Sequence, residues 1–223
     1  ERTFAALARV AEAAPAIEAE QGVLSGELPL LPIQRWFFAQ GFARPQHWNQ
    51  SVLLRPRRRL DPGVVRRALR ALVAHHDALR LRFPASEPQR AYYEPDPDEA
   101  FGFEAVEIAG SGELEPLLTA QARGLDLERG PLVRAALIGF PDGSQRLYFV
   151  AHHLVIDAFS LRLAIRDLTE AYRAVERGEP AVLPAKTSSY RQWSERVGEQ
   201  HAPLTATGCG AGESDRVADE YRA

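Results

Sequence analysis

The stretch from residue 147 to residue 160 constrains the fold most, because its periodicity changes from that of a strand to that of a helix. Leu147 to Ala151 are β-forming residues, His152 and His153 follow, and an amphipathic helix pattern opens near Ser160. This pattern predicts a strand, a polar turn and a helix. Successive strand side chains face opposite ways, so only one of the two histidines can point into a given cleft. We expect the other to pack in the core.

The polar residues of this turn suggest three kinds of chemistry. An imidazole titrates near neutral pH and is suited to proton transfer, and a carboxylate follows at Asp157. The group could be a general base with its support, a metal site with His153 and Asp157 as ligands, or a histidine pair satisfied within the core. The residue types alone do not decide among these alternatives.

The flanking sequence predicts a mixed α/β fold. Residues 132–140 and 145–152 are β-rich runs joined by Pro-Asp-Gly-Ser, which predicts a hairpin that delivers the histidines. Residues 161–175 predict a helix that ends at Gly178-Glu-Pro180, with its positive N-terminal end facing the histidine turn. Further helices are predicted from Pro32, from Asp61-Pro62 and over residues 113–123, and further strands at residues 92–93 and 101–108.

Composition narrows the class of protein. The chain has 223 residues, of which 45% are apolar, enough for one good core or two small ones. No stretch approaches the roughly 18 apolar residues of a membrane span, and no signal peptide opens the chain, so we expect a cytosolic protein. The single cysteine, Cys209, excludes an internal disulfide, and the net charge of −3 argues against general nucleic-acid binding. The absence of methionine favours a segment of a longer protein.

Several motifs carry a resemblance to a known family. His152-His-Leu-Val-Ile-Asp157 resembles the HHxxxD signature of the condensation-domain superfamily of nonribosomal peptide synthetases, whose fold is similar to chloramphenicol acetyltransferase. The runs at residues 32–37, 47–51 and 183–193 look like epimerization domains more than the condensation subtype, with Trp36 and Phe37 as aromatic anchors. Residues 75–80, His-His-Asp-Ala-Leu-Arg, resemble the family's second motif.

The resemblance implies roles for particular residues. His153 is the catalytic base, and His152, Asp157 and Arg80 support the site. We predict that Asp157 is buried and paired with Arg80. The family has glycine after the aspartate, whereas this chain has Ala158, which could be strained in the backbone or could crowd the substrate path. We favour crowding, because Asp157 and Ser160 suit a helix N-terminus with ordinary φ values.

The resemblance also implies the architecture. We expect an α/β chloramphenicol acetyltransferase-like lobe, in which a mixed β-sheet packs with helices, and the second lobe of the family is missing. Residues 23–200 form this N-terminal lobe. Residues 1–15 are a remnant of an upstream carrier-domain helix, residues 16–22 a linker, and residues 201–223 an irregular tail.

The implied activity is inversion of the α-carbon of an aminoacyl or peptidyl thioester. The substrate is carried on the phosphopantetheine of an upstream carrier domain, and the chain itself is expected to bind no cofactor or metal, no nucleic acid and no membrane. In the family a glutamate of the second lobe supplies the second acid, so we expect the isolated chain to be inactive. The alternatives are a condensation-type acyltransferase, in which His153 assists an amine, and a non-catalytic lobe that docks a carrier domain. An arginine cluster at residues 55–70 is expected to be a solvated face or a contact for that carrier.

Overall fold

The computed structural model describes residues 19–86 and 90–200 and has the predicted mixed α/β architecture. The described helices are α1 (Pro32–Ala39), α2 (Pro62–His75), α3 (Leu114–Arg123), α4 (Ala158–Glu176) and α5 (Tyr190–Gln200). The described strands are β1 (Gly26–Pro29), β2 (Asn49–Leu54), β3 (Leu81–Arg82), β4 (Arg90–Tyr93), β5 (Gly102–Glu107), β6 (Val133–Gly139) and β7 (Gln145–His152). None of the described helices is long and apolar enough to cross a membrane.

The larger sheet has the strand order β2-β7-β6-β5. Strands β6 and β7 form the predicted antiparallel hairpin, β2 pairs antiparallel with the outer side of β7, and β5 pairs parallel with β6. In this register Asn49 lies opposite His152. A smaller antiparallel sheet has the order β1-β4-β3. The histidines therefore stand at the end of a strand that is paired on both sides.

Each face of the larger sheet is covered by helices, as the alternation of apolar residues requires. Leu147, Phe149 and Ala151 lie in the main core with the apolar faces of α2 and α4. Tyr148 and Val150 lie in a second core that α3 covers. Asp61 caps α2 by accepting a hydrogen bond from the Val64 N–H at 2.8 Å, as the sequence predicts. This packing fixes both the end of β7 and the start of α4.

Residues 1–18 and 201–223 lie outside the described part of the chain. The predicted carrier-domain helix, most of the linker, the irregular tail and Cys209 fall there, so these expectations stay predictions.

Candidate active site

His152 is the buried member of the histidine pair, with no exposed surface. Its Nε2 lies 2.9 Å from the carbonyl oxygen of Pro45, and its Nδ1 accepts a hydrogen bond from the Leu154 N–H at 3.2 Å. Because a carbonyl can only accept, the proton of the neutral ring is on Nε2. Burial lowers the pKa of His152 to about 4, so the ring is neutral at pH 7. His152 holds the turn and does not exchange protons with a substrate.

His153 occupies the other side of the strand end and is partly exposed. Its backbone N–H donates to the Trp48 carbonyl at 2.8 Å, and its ring lies 6.1 Å from the Trp48 ring. No group within residues 19–86 and 90–200 forms a hydrogen bond with its imidazole. The ring lines a pocket of about 500 Å³ together with Ile33, His76 and Tyr190. His153 is thus the histidine of this pair that a bound molecule can reach.

Asp157 is exposed and is the N-cap of α4. Its Oδ1 accepts a hydrogen bond from the Ser160 N–H at 2.6 Å. The hydrogen bonds from Ser160 lower the pKa of this carboxyl below its ordinary value. The aspartate therefore fixes the junction between the histidine turn and α4, and it stays ionised near neutral pH.

The predicted pair between Asp157 and Arg80 is wrong. The guanidinium of Arg80 is fully buried and bonds Asp77 at 2.7 Å, and Asp77 also bonds Lys186 at 2.9 Å. Arg80 further donates to the carbonyl oxygens of Leu24, Val73 and Glu94. Asp77 is the nearer partner because it shares a short 3₁₀ turn with Arg80, whereas Asp157 is used as a helix cap. Arg80 consequently supports the segment after α2.

Ala158 is the first residue of α4 and is exposed. Within the described residues, only glycines have positive φ values. The alternative in which Ala158 is strained in place of glycine is therefore wrong. The steric alternative, in which its methyl group crowds a bound substrate, stays a prediction.

His76, from the second histidine pair, lines the same pocket as His153, which the sequence did not reveal. Nε2 of His76 lies 2.9 Å from Oδ2 of Asp167, a residue of α4 that is 91 positions away. His76 therefore has a carboxylate partner, although none follows it four residues on in the sequence. Among the described residues, no group of three or more His, Cys, Asp or Glu side chains could hold a metal ion.

Gln34 is the other residue that the sequence reasoning missed. It lies within the Pro-Ile-Gln-Arg-Trp-Phe run, whose aromatic side chains were the predicted anchors. Phe37 is indeed a buried anchor and packs edge-on against His152, whereas Trp36 is 46% exposed. Gln34 is only 1% exposed, and its amide donates to the Leu154 carbonyl in the histidine turn. The sequence did contain a signal that could have identified Gln34. It is a polar residue on the apolar face of α1, three positions after the N-cap of that helix.

The arginine cluster begins directly after β2, at the end of that strand opposite the one that pairs with His152, and continues on α2. Its seven arginines are all exposed: Arg55, Arg57, Arg58, Arg59, Arg66, Arg67 and Arg70. Several meet acidic partners, as Arg70 does with Asp98 at 2.9 Å. This arrangement favours the solvated-face interpretation for those arginines that are paired.

Comparison with known proteins identifies the family. The family model described as Condensation domain matches residues 24–203. The chain belongs to the condensation-domain family. A segment of a linear gramicidin synthase from Brevibacillus parabrevis is 39% identical over 205 residues, covering 88% of this chain and 4% of that protein. A segment of surfactin synthase subunit 2 from Bacillus subtilis is 37% identical over 202 residues, covering 87% of this chain and 6% of that protein. The condensation-family chain thus spans a small part of the curated relatives that it matches.

Solved structures support the predicted subtype and fold. The epimerization domain from the third module of tyrocidine synthetase B aligns with a TM-score of 0.74 and 33% identity, over 86% of this chain and 48% of that one. The starter condensation domain of rhizomide synthetase aligns with a TM-score of 0.68 and 19% identity, over 80% of this chain and 45% of that one. The second likeness shows the fold alone. Together they confirm the prediction of one chloramphenicol acetyltransferase-like lobe with a resemblance to epimerization domains.

Proposed function

We propose that this condensation-family chain is the N-terminal lobe of an epimerization domain of a peptide synthetase. In this proposal it inverts the α-carbon of an aminoacyl or peptidyl thioester that a carrier domain presents on phosphopantetheine. The observation that carries the proposal is the different environment of the two histidines. His152 is buried and neutral, while His153 reaches an open pocket without a hydrogen-bond partner for its ring among the described residues.

The reaction begins with loss of the α-proton of the thioester to the imidazole of His153. The C–H bond electrons form an enolate, whose negative charge must be held by fixed dipoles. The N-terminus of α4 starts five residues after His153 and offers such a dipole, although Asp157 offsets part of it. Reprotonation from the opposite face then gives the inverted centre. A single base cannot reach both faces, so inversion needs a second acid, which the resemblance to epimerization domains assigns to the second lobe.

The test is exchange of the α-proton in deuterated water. The chain is joined to the second lobe of a related epimerization domain and incubated with an L-aminoacyl carrier protein, and the released amino acid is analysed for deuterium and for the D-isomer. We expect both to accumulate, and His153→Ala to abolish both. His76→Ala is the matched control, since it removes the other imidazole lining the pocket. Equal deuterium uptake in wild type and His153→Ala would overturn the role of His153.

The 223-residue chain alone is a second arm of this experiment. We expect no D-isomer from it, because inversion needs a second acid on the other face, and the other imidazole lining the pocket, that of His76, is already bonded to Asp167. Formation of the D-isomer by the chain alone would show that the second group lies within it.

Condensation is the second candidate function, favoured by the family model that matches the chain. In that reaction His153 would assist an acceptor amine that attacks the donor thioester, with release of the carrier thiol. The same joined protein, supplied with donor and acceptor carrier proteins, distinguishes the two functions by mass spectrometry. A new amide that depends on His153, without exchange at the α-carbon, would replace the epimerization proposal.

A further inference from the structure

The side chain of Gln34 connects three separate segments around the candidate site. Its Oε1 accepts a hydrogen bond from the Leu31 N–H at 2.9 Å. Its Nε2 donates to the Leu154 carbonyl at 3.3 Å and to the Tyr190 hydroxyl at 3.0 Å. Both hydrogens of the amide are therefore used, and the residue is buried. A buried polar side chain with this many partners strongly restricts the positions that those partners can adopt.

The bond to Leu154 is the one that concerns the site. Leu154 directly follows His153. The other hydrogen bonds of this turn are donated by the backbone N–H groups of residues 153–155. The N–H of His153 donates to Trp48, that of Leu154 to His152, and that of Val155 to the His152 carbonyl at 3.0 Å. Gln34 is the partner that holds a carbonyl of this turn from helix α1. It thereby fixes the plane of the peptide between Leu154 and Val155, one peptide beyond the bond that joins His153 to Leu154.

Tyr190 extends this connection to α5. Its ring lines the same pocket as His153, and its hydroxyl accepts from Gln34. We propose that Gln34 is a positioning residue, which fixes the turn carrying His153 relative to Tyr190 and so sets the direction of the His153 imidazole. The consequence for turnover rests on the proposed function, but the positioning itself does not.

The substitution Gln34→Glu separates this role from a role in starting α1. A glutamate has nearly the same shape and can still accept from the Leu31 N–H. Its carboxylate cannot donate to the Leu154 carbonyl, and it places a second oxygen against that carbonyl. Gln40→Glu is the matched control, because Gln40 is exposed at the end of the same helix and, among the residues that the structure describes, its side chain bonds only the Trp36 carbonyl, at 3.2 Å.

The first measurement is hydrogen exchange and imidazole ¹⁵N NMR on the 223-residue chain. In Gln34→Glu we expect exchange of the Leu154 and Val155 amides to rise at least tenfold and the His153 imidazole resonances to shift. The Val73 amide in α2 should exchange within twofold of wild type, and Gln40→Glu should change none of these signals. Unchanged Leu154, Val155 and His153 signals in Gln34→Glu would overturn the proposal.

Tyr190→Phe keeps the test decisive if Gln34→Glu raises exchange throughout the chain. This variant retains the ring and removes one partner of Gln34. A local rise at Leu154 and Val155, smaller than in Gln34→Glu, supports positioning, and no local rise overturns it.

The second measurement links positioning to turnover in the joined two-lobed protein. We expect Gln34→Glu to lower kcat at least tenfold and to change KM less than threefold, since the base is misdirected while the pocket remains. A loss in KM alone would contradict the positioning role. If wild type shows no α-proton exchange while the amide results hold, the proposed function fails and the positioning of His153 stands.

Discussion

The chain contains the dipeptide His-His twice, and the two pairs differ because one ends a helix and the other ends a strand. His75 and His76 close α2, and their rings contact each other edge-on with centroids 4.9 Å apart. His152 and His153 close β7 and their side chains separate, one into the core and one into the pocket. A strand alternates its side chains and a helix end does not, so only the second pair yields one supporting and one accessible imidazole.

The partners of the two pairs differ as well. His76 is bonded to the carboxylate of Asp167, whose side chain is 6% exposed. His152 is bonded to a neutral carbonyl, and His153 to no group through its imidazole among the described residues. Burial is the main cause that lowers the pKa of His75, followed by the charge of His76. His76 of the helix-end pair is thus bonded to a carboxylate, whereas His153 of the strand-end pair has an imidazole that a bound molecule can reach.

The largest loss of stability is expected when the ionic network beside His76 is broken. In Asp77→Ala the buried guanidinium of Arg80 and the ammonium of Lys186 both lose their carboxylate. Leaving buried charges unpaired costs about 3–5 kcal/mol, so we expect urea denaturation to show a loss of that size in the free energy of unfolding. The control Asp98→Ala breaks an exposed pair with Arg70 and should cost less than about 1 kcal/mol. Equal losses would show that the Asp77 network is not a structural anchor.

The next effect is a pH dependence carried by His152. Its pKa is lowered to about 4 in the folded protein from an ordinary value of 6.5, so the unfolded chain binds the proton more readily. Stability from this group is full above pH 6.5 and falls as the pH drops to about 4. At about 1.4 kcal/mol per pKa unit, the loss approaches roughly 3 kcal/mol. Urea denaturation of wild type and His152→Asn between about pH 7 and pH 4 should give a steeper decline for wild type; equal slopes would contradict the assignment.

A smaller loss of stability is expected when Asp157 is replaced, because a helix cap contributes less to stability than a buried ion pair does. Asp157→Ala removes the acceptor for the Ser160 N–H and should cost about 1 kcal/mol, far from the unfolding that a buried pair would imply. Asp157→Asn retains a capping oxygen and should cost only about a few tenths of a kcal/mol. A loss above about 3 kcal/mol in thermal or urea denaturation would restore the view that Asp157 is a buried structural partner.

Local periodicity predicted the strands and helices that carry the candidate site residues. It did not predict which side chains bond each other across long distances in the sequence. The hairpin, the cap at Asp61 and the separation of His152 from His153 follow from neighbouring residues. Asp77 bonds Lys186, 109 positions away, His76 bonds Asp167, 91 positions away, and Gln34 bonds Leu154, 120 positions away. Nothing in spacing specifies such contacts. The predicted pairing of Asp157 with Arg80 was wrong because each residue bonds a partner three positions away: Asp157 caps α4 at Ser160, and Arg80 bonds Asp77.

The smallest expected effect tests Ala158, the one departure from the family's signature beside the accessible histidine. Because Ala158 is the exposed first residue of α4 with an ordinary φ, glycine relieves no strain there. Ala158→Gly should therefore lower the free energy of unfolding slightly, by less than about 1 kcal/mol, through the greater freedom of glycine in the unfolded chain. Ala174→Gly, within the same helix, is the matched control and should cost roughly 1 kcal/mol. If the methyl group crowds the substrate, turnover of the joined protein rises in Ala158→Gly while thermal stability does not. A gain in stability would instead mean that the turn after His153 is strained, and would require a different backbone from the one described.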